Sequence, residues 1–321
     1  MRITRLLTLL LLIWVRQRVR QMTLEALRIL CKMKLIKVIL ILLCFVAAQK
    51  PQHAQENSAY NTACIPVRTV KDAELAFAHG ESASFTMHYE WGAIDSDVGS
   101  ATVRLDSTIY NGQRAYTCTM RGRTTRLYDF FFKVREDFTA TFTRDGLVPL
   151  KFTRHSQEGS YEAKNTYIYD RTSAEPRILA DLYTSKRGAS TMEIPLTPCT
   201  FDLPSLFYFA RNMDFDVVEP GKKYPMTFAI DDDVFNVYFI LYGRETIKVK
   251  GLGTVKTIKF AAKLLEGEVF KGEADMLIWV TDDDNRLPVY FEAPLLVGMA
   301  KGRMTSYENL KHPFTSLVLK R

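Results

Sequence analysis

Apolar and polar residues alternate in short runs along most of this chain beyond residue 80. The clearest run is 84–91, in which every odd-numbered residue is aromatic or methionine and every even-numbered residue is polar. A period of two is typical of a β-strand with one buried face. Similar runs, separated by turn-forming residues, recur as far as Leu310, so the pattern predicts an all-β fold.

Two turn sequences predict β-hairpins. Asn111-Gly112 lies between two strand-like runs, and this dipeptide favours the tight turns that join antiparallel strands. Between Met276 and Glu292, the turn-forming residues 282–285 separate two runs that are rich in β-branched and aromatic residues. An isolated hairpin is marginally stable in water, so we expect both hairpins to belong to a larger sheet.

Two segments depart from the alternating pattern. Asp202 can cap a helix, Pro204 is tolerated in a first helical turn and an apolar run follows, so we expect a helix over Asp202–Asn212. The segment Leu127 to Val134 contains three consecutive phenylalanines. This composition predicts a deeply buried element, either a strand or a short helix.

No Gly-, Pro- or Ser-rich linker and no internal repeat divides the later part of the chain. A block of about 250 residues made of short strands is compatible with one β domain. We therefore expect a single domain over 78–321, preceded by an irregular lead-in at 55–77.

The net charge of +7 is unevenly distributed. Residues 1–54 hold ten Lys and Arg residues and one acid, so the remaining residues carry a net charge of −2. The later part of the chain lacks the basic surface that nucleic-acid binding requires, and no nucleic-acid partner is expected.

The basic excess belongs to a targeting pattern. From Met33 onward a short cationic start is followed by an apolar run, Val38 to Ala48, and by a polar stretch that ends near Ala54. These three parts predict a secretory signal peptide. We interpret residues 1–32 as an extension upstream of the true start, Met33. The alternative is that an N-terminal segment is a membrane anchor.

Three cysteines follow the predicted leader: Cys64, Cys118 and Cys199. Cys64 and Cys199 lie in loops next to prolines, and an exported protein can oxidise such a pair to a disulfide. Cys118 lies within a strand-like run and is expected to be a buried thiol. Cys-x-x-Cys and Cys/His groupings are absent from the sequence, so neither a metal site nor a cofactor is predicted.

Candidate chemistry is sparse. The acidic triplets Asp231–Asp233 and Asp282–Asp284 offer oxygen ligands for calcium, but their spacing favours solvated turns. His88 and Glu90 share one strand face, where a cross-strand pairing is favoured over an acid/base pair. Asp129 and Glu292 are, with Glu90, the carboxylates considered for a hydrolase.

A set of residues spread along the chain carries a resemblance to a known family. These residues are Gly80-Glu81, Tyr89, Trp91-Gly92 and Gly99, then Asp202, Leu206, Tyr208 and Arg211, then Gly221 and Tyr242-Gly243-Arg244-Glu245, and finally Trp279, Asp282-Asp283, Asn285, Arg286 and Pro288. Through them the chain resembles an exported bacterial family catalogued as domain of unknown function number 3108. The resemblance spans roughly residues 78–310, and it implies an envelope protein of Gram-negative bacteria with no known activity or catalytic residues.

We expect a strongly curved antiparallel sheet, or an open or half-closed β-barrel, with the helix at 202–212 packed on or into it. A solid core is the default expectation for the aromatic residues, and a ligand cavity is the alternative. The residues predicted to bind a ligand are Tyr89, Trp91, Arg211, Arg244 and Trp279. Each of the two arginines could bind an acidic head group, or it could pair with a nearby carboxylate and hold loops together. The second role is favoured.

These observations favour a non-enzymatic protein of the periplasm or cell envelope that binds a lipid, a lipoprotein or another amphipathic ligand on the concave face of its sheet. A structural adaptor of an envelope complex, docking through a sheet edge or an apolar patch, is the first alternative. A carboxylate-dependent hydrolase of envelope polymers is the second.

Overall fold

The computed structural model describes residues 65–264, 275–295 and 298–320. The predicted leader, the start at Met33, the alternative anchor and Cys64 lie outside these ranges. Within them, no helix has the length and apolar composition needed to cross a bilayer.

The described chain is mostly β-strand. In chain order the strands are β1 (Ser82–Trp91), β2 (Ile94–Tyr110), β3 (Gln113–Thr124), β4 (Val134–Thr143), β5 (Pro149–Glu158), β6 (Tyr161–Asp170), β7 (Arg177–Thr184), β8 (Gly188–Pro195), β9 (Thr200–Phe201), β10 (Lys223–Ile230), β11 (Asp233–Val249), β12 (Gly253–Leu264), β13 (Asp275–Thr281), β14 (Pro288–Pro294), β15 (Met299–Glu308) and β16 (Leu317–Lys320).

The strands form one large curved sheet that does not close into a complete barrel. The order is β8-β7-β6-β5-β4-β3-β2-β1-β15-β14-β13-β12-β11-β10-β9, and β16 pairs with β12. Neighbouring strands are antiparallel except for the parallel pair β9–β10. The predicted curved, open antiparallel sheet is confirmed.

Both predicted hairpins are present. Asn111 and Gly112 have positive φ angles of 48° and 81° and connect β2 to β3. This conformation costs Gly little and is tolerated by Asn better than by most residues. The other hairpin joins β13 to β14. The strand β8 was not predicted, because its side chains are mostly exposed and show no alternation of apolar and polar residues.

In the described ranges two α-helices accompany the sheet, α1 (Arg126–Phe132) and α2 (Leu203–Ala210), and a 3-10 helix spans Asp72–Glu74. The side chain of Asp202 caps α2 by accepting a hydrogen bond of 2.8 Å from the Ser205 backbone N–H, which confirms the predicted helix. The prediction of a deeply buried element at 127–134 was wrong for α1, which contains no buried residue.

The core lies between α2 and the sheet. On α2, Tyr208 and Phe209 are fully buried, and the Tyr208 ring packs edge-on against Phe77 with 4.6 Å between ring centroids. The helix contacts β3 and β4. Phe209 also contacts Phe201 of β9, with 4.7 Å between ring centroids, so α2 is held by its buried face.

Candidate functional site

An apolar cavity of about 140 Å³ lies between α2 and the strands on the far side of the curve. Among the residues that the structure describes, seventeen line it, and of these Arg211 alone is charged or polar. They are Phe85, Met87, Ala101, Val103, Leu203, Leu206, Phe207, Ala210, Arg211, Phe239, Phe260, Ala262, Met276, Ile278, Val280, Pro288 and Phe291.

The sequence of α2 makes both of its faces apolar. Leu203, Leu206, Phe207 and Ala210 follow the i, i+3, i+4, i+7 spacing of one helical face, and all four line the cavity. Each is only partly buried. The opposite face carries the buried residues Pro204, Ser205, Tyr208 and Phe209, which provide the packing that holds the helix on the sheet. The stripe that lines the cavity is therefore not needed to anchor α2.

The sheet side of the cavity depends on one close approach. Gly302 of β15 pairs with Phe291 of β14, and a Cβ atom on Gly302 would come within 2.0 Å of Cε1 of the Phe291 ring. The ring therefore occupies the space that a side chain at 302 would fill. Because Phe291 lines the cavity, glycine at 302 sets the shape of the cavity wall.

Arg211, directly after α2, is fully buried and pairs with the equally buried Glu81. Its Nη1 and Nη2 groups donate to the two Glu81 carboxylate oxygens, the second at 2.9 Å. Its Nε and Nη2 groups also donate to the carbonyl oxygen of Asn285, at 3.1 and 2.8 Å. The favoured prediction for Arg211, that it locks loops together, matches this geometry.

The Asn285 side chain extends the same network. Its amide donates to the carbonyl oxygens of His312 and Pro313, at 3.0 and 3.2 Å, and its oxygen accepts from the His312 backbone N–H. Asp283 accepts from the hydroxyls of Thr281 and Ser316, at 2.7 Å each. The residues that carry the family resemblance therefore join the β13–β14 turn, the C-terminal end of α2 and the start of β1.

Arg244 and Trp279 lie outside the cavity lining. Arg244 forms exposed ion pairs with Asp216 and Asp282, at 2.5 and 3.2 Å. The Trp279 indole N–H donates to Glu245 at 2.6 Å. Alternation along β13 explains the placement of Trp279, because its neighbours Ile278 and Val280 face the cavity.

Tyr89 and Trp91 also lie outside the cavity lining, near the end of β1. Tyr89 is buried, and burial raises the pKa of its hydroxyl to about 12. Of the five predicted ligand-binding residues, the structure places only Arg211 at the cavity. Two other aromatic residues, Phe85 and Phe207, do line it. The prediction missed aliphatic positions such as Ile278, whose place in an alternating strand was the available signal.

The acidic triplets are not simple solvated turns. Asp231 accepts from Arg154 at 2.6 Å and from the Asn165 amide at 3.1 Å, so the β10–β11 turn is fastened to the inner face of β5 and β6. Asp283 is buried in the network described above. Both triplets lie in turns, and Asp232 and Asp284 are exposed, so the expectation of solvated turns holds for part of each triplet, whereas Asp231 and Asp283 accept from buried donors.

His88 takes part in the predicted cross-strand pairing. Its two ring nitrogens lie 2.7 Å from Asp95 and 2.8 Å from Asp97, both on β2. His88, Glu90 and Asp95 could together offer three ligand atoms to a metal ion. Lys301 binds Glu90, a member of this group, at 2.6 Å, and Arg303 binds the neighbouring Asp97 through two hydrogen bonds of 2.6 and 2.9 Å.

The carboxylates considered for hydrolysis are engaged by cations. Lys301 contacts Glu90 at 2.6 Å and Glu292 at 3.9 Å. Asp129 is paired with Arg135. A pair of hydrolytic carboxylates needs the substrate bond between them, whereas the Lys301 ammonium fills the space between Glu90 and Glu292.

Two buried groups near α2 have raised pKa values. Burial raises the pKa of the Asp202 carboxyl to about 7, although the Ser205 hydrogen bonds oppose this shift. Burial also raises the pKa of the Cys118 thiol well above its ordinary value. Cys118 is free and buried, as predicted.

Cys199 is disulfide-bonded. The other cysteine within the described ranges, Cys118, is free. The predicted pairing of Cys199 with Cys64 involves a residue outside those ranges.

A curved, incompletely closed sheet that surrounds one helix and an apolar cavity defines a barrel-like β protein. The chain belongs to the family described as "Protein of unknown function (DUF3108)", whose model matches residues 84–305. The family resemblance seen in the sequence is thereby confirmed.

Solved structures offer two more distant similarities, and no curated protein matches the chain. A beta-barrel-like protein of domain of unknown function DUF1849 from Brucella abortus is 11% identical, with a TM-score of 0.49 over 73% of this chain and 99% of that chain. A candidate lipoprotein from Parabacteroides distasonis is 10% identical, with a TM-score of 0.28 over the same shares. At these values the similarities say nothing about function.

Proposed function

We propose that this protein is a non-enzymatic protein of the cell envelope that binds the apolar part of an amphipathic ligand, such as an acyl chain of a lipid or lipoprotein. The ligand lies in the cavity between α2 and the concave face of the sheet. The observation that carries the proposal is the cavity itself, because sixteen of the seventeen described residues that line it are apolar.

The apolar lining favours such a ligand. The α2 residues Leu203, Leu206 and Phe207 are only partly buried, so part of their apolar surface is in contact with water. A ligand that covers this surface removes it from water, which is favourable by about 25 cal/mol per Å² of apolar surface.

The cavity volume limits what can enter. A cavity of about 150 Å³ lined by Leu, Ile and Phe binds benzene. The end of an acyl chain or one aromatic ring therefore fits, and the rest of the ligand extends along the half-buried α2 residues Leu203, Leu206 and Phe207. Arg211 is engaged by Glu81, so we assign it no role in gripping the polar end.

Two features support the proposed location in the cell envelope. The sequence from Met33 has the three parts of a secretory leader. Cys199 is disulfide-bonded, and structural disulfides persist in oxidising compartments rather than in the cytosol.

The proposal is tested with a fluorescent fatty acid whose emission rises in an apolar environment. Ala210→Phe places a ring in the cavity, and we expect probe affinity to fall at least about tenfold, a loss of roughly 1.4 kcal/mol. Ala174→Phe, in an exposed loop, is the matched control and should leave affinity unchanged.

Thermal melts of both variants check the fold. Ala210→Phe should melt at or above the wild-type temperature if the ring fills an existing void. A wild-type protein that takes up no probe, or equal affinity in Ala210→Phe, would overturn the proposal. If the wild-type protein binds the probe, mass spectrometry of protein purified without detergent would identify the natural ligand.

A further inference from the structure

The short helix α1 presents apolar side chains to solvent. Leu127, Phe130 and Phe131 are 67%, 87% and 48% exposed. Phe130 is the most exposed of the large apolar side chains in the part of the chain that the structure describes. Single exposed apolar residues are ordinary on protein surfaces, but three on one helical turn form a patch.

Contacts with the sheet hold α1 in place. Asp129 accepts hydrogen bonds from the Thr124 hydroxyl at 2.5 Å and from Arg135 at 2.8 Å. The Phe132 ring lies against Gly159, where an added Cβ would be 3.2 Å from the ring. The exposed phenylalanines therefore project from an anchored element rather than from a frayed one.

The charge around the patch is positive. Three of the five basic residues in 121–135 are paired with Asp129 or Asp137, which leaves the excess of positive charge at the two ends of α1. Arg126 and Lys133, at the two ends of α1, are exposed, and neither forms an ion pair with an acid in the described ranges. Apolar side chains flanked by cations are typical of segments that insert at the surface of an anionic membrane.

We propose that α1 is a docking element for anionic phospholipid, with Phe130 and Phe131 entering the acyl boundary while Arg126 and Lys133 contact phosphate groups. The size of the patch favours a membrane over a protein partner. Aromatic side chains bury about 150–250 Å² each, so the patch falls short of the roughly 800 Å² per partner of a stable protein interface.

The register of the sheet places α1 near the cavity. Thr124, two residues before α1, belongs to a row of paired residues that crosses the sheet, and four members of this row, Met87, Phe291, Ile278 and Phe260, line the cavity. The full row is Thr124, Gly99, Met87, Gly302, Phe291, Ile278 and Phe260.

Sedimentation with lipid vesicles tests this proposal. Vesicles of phosphatidylcholine alone are compared with vesicles in which about one third of the lipid is phosphatidylglycerol. We expect the protein to bind the anionic vesicles, and the variant with Phe130→Ser and Phe131→Ser to bind at least about tenfold more weakly. Arg126→Gln with Lys133→Gln should remove the preference for anionic lipid.

Ile109→Ser is the matched control. Ile109 of β2 is 65% exposed and pairs with Arg114, at the end of β3 that is roughly 35 Å from α1. Its substitution should not change vesicle binding. Ala210→Phe should also bind normally, which separates this proposal from ligand binding in the cavity. Failure of the wild type to bind anionic vesicles would overturn the proposal, and so would a dimer that Phe130→Ser dissociates without any vesicle binding.

Discussion

The buried pair of Glu81 and Arg211 is predicted to be a major determinant of stability. Both side chains are almost fully excluded from solvent, at 2% and 1% exposure. Glu81→Gln leaves the guanidinium without its charge partner, and Arg211→Met leaves the carboxylate without its own. Removing one partner of a buried ion pair costs about 3–5 kcal/mol.

The double variant should behave differently from the sum of the two single variants. With Glu81→Gln and Arg211→Met together no uncompensated charge remains, although the carbonyl of Asn285 loses two hydrogen-bond donors. An unsatisfied buried acceptor costs about 1–3 kcal/mol. We therefore expect a favourable coupling energy of at least about 2 kcal/mol between the two positions.

Urea unfolding followed by tryptophan fluorescence measures these differences. The exposed pair of Arg244 and Asp216 supplies the control, because its side chains are 48% and 71% exposed, and Asp216→Asn should cost less than about 1 kcal/mol. Additive costs in the double variant, or single-variant costs as small as the control, would refute the structural role of the pair.

Three further predictions concern individual residues. Burial raises the pKa of Asp202 to about 7, so the protonated carboxyl stabilises the fold at low pH, and up to about 4 kcal/mol of stability is lost as pH rises from about 4 through 7. The urea midpoint of Asp202→Asn should therefore rise relative to that of the wild type across this pH range. A difference between the two midpoints that does not change with pH would contradict this. Gly302→Ala should reduce stability by about 1–3 kcal/mol by displacing the Phe291 ring. Thermal melts should show a smaller loss when the same substitution is made in a Phe291→Ala variant. An equal loss in that variant would show that the Phe291 ring is not the cause. Cys118 is buried and its thiol pKa is raised, so it should resist a thiol reagent in the native protein and react on unfolding; rapid native labelling would contradict its burial.

The strands with one buried face were predictable because alternation reports that face directly. β1 is an example, since its inward residues are all apolar. β8 was missed because it is an edge strand with little burial on either face, so no periodic pattern is required of it. α1 was misjudged because three consecutive phenylalanines normally indicate burial, whereas here the sheet supplies no partner for Phe130.

The residues predicted to bind a ligand, apart from Arg211, do not line the cavity. Large aromatic residues were chosen for their size, but the position of a residue along a strand and the face it occupies decide whether it lines the cavity. Ile278 faces the cavity and Trp279, one residue later, does not. The pairing of Arg211 with Glu81 joins positions 130 residues apart, and the sequence contains no local signal for a contact at that separation.

Methyl NMR of the protein titrated with a medium-chain fatty acid most directly tests the central claim that the cavity binds an apolar ligand. Met87 and Met276 line the cavity, whereas Met192 on β8 does not. We predict saturable shifts of the Met87 and Met276 methyl signals, none for Met192, and loss of the shifts in Ala210→Phe. Unchanged Met87 and Met276 signals at saturating fatty acid, or equal shifts at Met192, would contradict the claim.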